Sequence, residues 1–215
     1  TINRTFLVEE HIEPNNMGNL GGLIGMMEGT NSLISNSEAA GIITSDAYQM
    51  SVNAIGGLAG FFIDGEIRNS MAMHTTTATA GFVGGLVGTA SDPESGLHNI
   101  KLYNSFTNVR FNVGSNTVTG GMMGNNVFGS LKNCYSAVTL EEGVDPSKVV
   151  TLVHDNTGSI SQCYGNEGFA LNIYSTEGVE HIGNCGTYSS VISADELGYM
   201  YEDNKIVGDT ALFDS

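Results

Sequence analysis

A five-residue unit returns four times along this chain: Gly21-Gly22-Leu23-Ile24-Gly25, Gly56-Gly57-Leu58-Ala59-Gly60, Gly84-Gly85-Leu86-Val87-Gly88 and Gly120-Gly121-Met122-Met123-Gly124. Each copy is followed by a second unit, an aliphatic and a variable residue before Asn-Ser or Asn-Cys, as in Ile34-Ser35-Asn36-Ser37 and Ile67-Arg68-Asn69-Ser70. Self-similarity at a period of a few tens of residues marks a stacked repeat. One unit of such a protein buries its apolar face only against the units above and below it.

The first glycines lie 35, 28 and 36 residues apart, and sliding the fourth copy forward by 29 finds a fifth. Gly129-Ser130-Leu131-Lys132-Asn133-Cys134-Tyr135 then falls on Gly158-Ser159-Ile160-Ser161-Gln162-Cys163-Tyr164, with Val149-Val150-Thr151-Leu152-Val153 in place of the glycine unit. A sixth remnant ends in Asn184-Cys185. Inside a unit, short segments alternate with period two, as at Cys134, Ser136, Val138 and Leu140, and no apolar period of 3.6 persists through residues 17–190. Three short strands plus corners account for such a repeat. The expected fold is all-β, a right-handed parallel β-helix, or three-sided β-solenoid, of about five to six rungs.

Stacking turns sequence offsets into columns about 4.8 Å apart. One column holds Asn36, Asn69, Asn104, Asn133, Gln162 and Asn184, whose amides can donate to one neighbour and accept from the other. The next holds Ser37, Ser70, Ser105, Cys134, Cys163 and Cys185. Cysteine taking the place of serine there reads as a small buried residue rather than a thiol site, since no His or basic residue stands beside any of the three; the alternative is a strained Cys134–Cys163 disulfide, because in-register positions lie within disulfide range. In the glycine units two successive residues are apolar, and neighbours in a strand point to opposite faces. Thr151-Leu152 in the fifth copy suggests that the first position faces out. Leu23, Leu58, Leu86 and Met122 then form an outer apolar stripe, which insertion loops or a neighbouring domain cover or which binds a partner.

Residues 1–16 and 191–215 flank the repeats and are expected to cap the open strand edges at each end. Ser193-Ala194-Asp195-Glu196 ahead of Leu197, Tyr199, Met200 and Tyr201 suggests a short terminal helix. The chain starts at Thr1 with no signal segment and has no apolar run long enough to span a bilayer. It reads as a piece of a longer parent chain with further domains, without direct membrane insertion.

The units Gly-Gly-Leu-Val-Gly and Ile-x-Asn-Ser-Tyr/Phe resemble the GLUG motif family, over about residues 17–165 and most strongly at Gly84–Gly88 with Asn104-Ser105-Phe106. These repeats occur in bacterial surface proteins, among them adhesin-like proteins and the non-catalytic part of IgA-specific metallopeptidases. The resemblance implies an exported, cell-surface or extracellular β-solenoid that acts as a scaffold. It departs at Val149-Val150 and at the insertion Ser91–Gly96.

Chemistry is sparse in the remaining residues. Seven Lys and Arg against 23 Asp and Glu give a formal charge of −16, which repels nucleic acid and anionic lipid. His11, His74, His98, His154 and His181 make no His-Glu-x-x-His, and no Gly-x-Ser-x-Gly elbow exists. Loop carboxylates, Asp64 with Glu66, Asp92 with Glu94, and Glu141 and Glu142 with Asp145, are the groups that a β-helical polysaccharide lyase or glycoside hydrolase would need in a groove. That is the alternative reading. Asp92 and Glu94 are also the weak candidates for Ca²⁺, the one cofactor weighed. The expected function is non-enzymatic: adhesion to a host or matrix protein or a glycan, or service as a rigid spacer.

Overall fold

The structure, a computed structural model, describes residues 18–46, 53–91, 100–127 and 129–166 together with Phe169, and the backbone of Thr5–Ile12 and of four short strands beyond residue 181. The chain is nearly all β, wound as a parallel β-solenoid of about 4 turns. One sheet stacks five strands, Ile24–Met27, Ala59–Phe62, Val87–Ala90, Met123–Asn126 and Val153–Asn156. A larger sheet takes up the rest of each coil, with all its neighbours parallel.

Register places like on like. Ile34, Ile67, Leu102, Leu131 and Ile160 are in-register partners on successive coils, and all five are buried. They form one side of a core that also takes Met27, Phe62, Val87 and Ala90 from the five-stranded sheet. Each coil can bury this row only because the next coil supplies its other wall.

The long strands differ from the three short segments expected. Met71–Gly84 and Phe106–Gly120 run on past this core. A second core forms there, where Ile43, Phe111, Val113 and Val138 meet Leu20, Ile55, Val83 and Val149. The expected N-terminal cap contains a strand, Thr5–Ile12, which pairs in register with Glu38–Ser45 and adds one more parallel strand to the larger sheet. At the other end Tyr201–Glu202 pairs antiparallel with Lys205–Ile206, so Tyr201 belongs to a strand and not to the expected helix. The capping pattern at 193–196 lies outside the described residues.

The fifth coil corrects the ungapped slide. Thr119 pairs with Val149 and Met123 with Val153, an offset of 30, whereas Ser130 pairs with Ser159, an offset of 29. One residue fewer between Asn156 and Ser159 than between Asn126 and Ser130 absorbs the difference. Thr151 therefore stands over Gly121, and Leu152 over Met122.

Candidate functional site

Two kinds of corner position everything on this solenoid. At the first, Asn36, Asn69, Asn104, Asn133 and Gln162 all have positive φ, between 45 and 56°. Asn adopts this left-handed conformation more readily than other residues with a Cβ, which is why the corner selects it. The bend turns the amides into a line. Asn69 Nδ2 donates to Asn36 Oδ1 at 3.4 Å, Asn104 Nδ2 to Asn69 Oδ1 at 3.2 Å, and Asn133 Nδ2 to Asn104 Oδ1 at 2.7 Å.

The adjoining column is a second ladder. Ser37, Ser70 and Ser105 donate their hydroxyls to the carbonyl two residues back, at 2.9, 2.8 and 2.7 Å. Cys134 and Cys163 repeat that bond with their thiols at 3.3 and 3.2 Å. Both are buried, in register and free. Burial, with Cys134 alongside, pushes the Cys163 thiol pKa well up, the reverse of what a nucleophile needs. Asn184 and Cys185 lie outside the described residues.

The second corner is the glycine unit, and here the outer stripe fails. Leu58, Leu86 and Met122 are wholly buried, and Leu23 packs against the same core. The reason is local. The chain bends at residues 57–58, 85–86 and 121–122, so strand alternation lapses and Leu58 and Ala59 both point inward. Thr151, which had suggested an outward first position, aligns with Gly121 instead. A one-residue error of register inverts such an argument.

The bend is tight enough to need glycine. A Cβ on Gly60 would stand 2.7 Å from the Ala54 carbonyl oxygen, and one on Gly88 would stand 2.3 Å from the Ile55 amide nitrogen. The strands on either side of the corner thus meet backbone to backbone. Further along they part around a cavity of about 260 Å³, lined by Asn19, Asn53, Ala54 and Phe82 on one wall and Met26, Phe61 and Thr89 on the other. Ala54 and Phe61 line it from one coil, and their in-register partners Phe82 and Thr89 from the next.

Among the described residues, titratable groups are paired locally. Glu66 pairs with Arg68 at 3.2 Å and Glu141 with Arg110 at 3.4 Å, both on the surface. Asp145 accepts from Ser147 N–H at a cap position, and its pKa is lowered by the Ser147 side chain first and by that N–H second. His154 meets Asp155 at 2.8 Å, and Asp155 stands over Asn125. No three metal-ligating side chains cluster among the described residues. Asp92 and Glu94, the Ca²⁺ candidates, lie outside them.

Two features escaped the sequence. His74 is buried, donating from Nε2 to the Gly85 carbonyl at 2.8 Å and accepting at Nδ1 from the Thr76 hydroxyl at 2.8 Å. Burial lowers its pKa to about 4, against a smaller opposite effect from the Gly85 carbonyl. Asn126 and Asn156 make an inward amide pair, Nδ2 to Oδ1 at 2.7 Å, at the column that holds Met27, Phe62 and Ala90 in earlier coils. The change from apolar residues to asparagine was visible in the repeats, but only once their register is known.

Comparison adds one relative. The chain is 35% identical over 140 residues to a protein of Streptococcus pneumoniae named immunoglobulin A1 protease. The match takes in 60% of this chain and 7% of that protein. The shared part is therefore a small section of a much longer polypeptide. No protein-family model matches the chain, and no solved structure does.

Proposed function

We propose that this chain is a non-catalytic, GLUG-type β-solenoid module of a longer exported bacterial protein, acting at the cell surface or outside the cell. It serves in ligand binding of the kind adhesion requires, or holds other domains apart as a rigid spacer. The observation that carries this reading is where the charged groups sit. Glu66, Asp155 and the single turn that holds Glu141 and Asp145 lie apart on the solenoid, and within that turn Glu141 is taken up by Arg110 and Asp145 by Ser147, whereas general acid–base chemistry needs a pair converging on one bond. The coils spend their polar side chains on ladders that hold the stack together.

The likeness to a short section of an immunoglobulin A1 protease agrees with an accessory module. It supports export and a larger parent chain, and any peptidase activity would lie elsewhere in that parent. The test is a glycan and matrix-protein array probed with the intact chain, followed by a reducing-sugar release assay on every hit. Capture without product supports a binding module. Release of reducing sugar would overturn it in favour of a glycan-active enzyme.

A further inference from the structure

We infer that the cavity at the fork of the glycine corner is a slot for one uncharged sugar ring of a glycan. This deepens the binding-module reading and rests on it. The slot's volume of about 260 Å³ falls below the ~300–1,000 Å³ of pockets for drug-sized ligands and equals the share of about nine waters. It suits a single ring rather than a folded segment.

The lining is divided as a sugar is. Phe61 and Phe82 are half-buried and Met26 is 53% exposed, giving apolar surfaces for the C–H face of a pyranose. Asn19 and Asn53 add amides, and the Asn53 Oδ1 is held by the Gly18 N–H at 3.1 Å. Thr89 is 4% exposed and its hydroxyl has no hydrogen-bond partner among the described residues. A buried hydroxyl left so is costly, and a ring hydroxyl reached by rotation of the Thr89 side chain would satisfy it. An apolar peptide side chain would leave it unsatisfied.

Charge narrows the ligand further. Among the described residues none that lines the slot is ionisable, and the chain as a whole carries −16. Uronic and sialic acids are therefore disfavoured, and neutral hexoses fit. Along the axis the outer column runs Met26, Phe61, Thr89, Asn125, Asp155, so the apolar part of the groove ends before the acidic part begins.

The experiment titrates the intact chain, by calorimetry, with neutral gluco-, manno- and galacto-configured trisaccharides and with a trigalacturonate. Phe61→Ala and Thr89→Val are run in parallel, each with a thermal melt. The expected result is binding of at least one neutral trisaccharide and not of the uronate. Phe61→Ala should weaken it about tenfold and Thr89→Val about fivefold. Thr89→Val should also melt no lower than the parent, so that lost binding is not lost folding. Silence of all three neutral sugars overturns the proposal, as does unchanged affinity in Phe61→Ala. A full loss in Phe61→Ala with none in Thr89→Val overturns it too, in favour of a purely apolar occupant. Should the parent capture a ligand on the array that both variants also capture equally, the slot falls while the binding-module reading stands.

Discussion

Replacing Asn104 with alanine removes the middle of the amide ladder, and its cost follows from counting. The side chain donates to Asn69 and accepts from Asn133, so two hydrogen bonds go, at about 1 kcal/mol each. A Cβ residue without a polar side chain must then hold φ near 45°, which adds about 1 kcal/mol. The sum is about 3 kcal/mol. Asn36 accepts one ladder bond, from Asn69, so its alanine variant should lose about 2 kcal/mol by the same reasoning. Asn104→Gly loses both bonds yet relieves the backbone, and it falls near Asn36→Ala. Urea unfolding followed by far-ultraviolet circular dichroism measures all three. A loss under about 1 kcal/mol in Asn104→Ala, or an equal loss in Asn36→Ala, would refute the argument that each amide is bonded to both neighbours.

The remaining expectations are separate. Leu58→Ser with Leu86→Ser should unfold the chain rather than spare it, because both side chains are wholly buried and even Leu→Ala in such a site costs about 2–5 kcal/mol; a folded double variant in a thermal melt would restore the outer stripe. His74 has its pKa lowered from 6.5 to about 4 in the folded chain, so the unfolded state takes up the proton first. Stability should then fall as pH drops through that interval, by about 2 kcal/mol between pH 7 and pH 5. His74→Phe should remove that part of the pH dependence, and identical slopes in parent and variant would contradict it. Cys134→Ser should change stability by less than about 1 kcal/mol, since Ser37, Ser70 and Ser105 make the same bond, whereas a loss of several kcal/mol in denaturant would show that the thiol has another role. Chelation by EDTA should leave the melting temperature unmoved, and a clear drop would point to a bound Ca²⁺.

Architecture was legible because period and column are the same fact in a solenoid. Asn36, Asn69, Asn104 and Asn133 stand out in sequence for the reason that they line up in space, a bend that demands positive φ. The glycine corner was harder to read. Its glycines stand out in sequence, but the rule that strand neighbours face opposite ways does not hold across the bend, so alternation alone turns Leu58 outward although it is buried. Register in the fifth coil compounded the error, since a single residue lost before Ser159 shifts Thr151 by one place. The slot was illegible for another reason. Phe61 and Phe82 come from different coils, and only the register of those coils brings them to one cavity.

The central claim is that distance in space grows by one coil for each repeat in sequence. Nitroxide labels at Ile42 with Thr75, Ile42 with Arg110 and Ile42 with Thr139 test it directly, because these positions are in register on successive coils. Dipolar broadening should report backbone separations rising in steps of about 4.8 Å, although the pairs are 33, 68 and 97 residues apart. Equal broadening in all three pairs, or none in the first, would contradict the stacked solenoid.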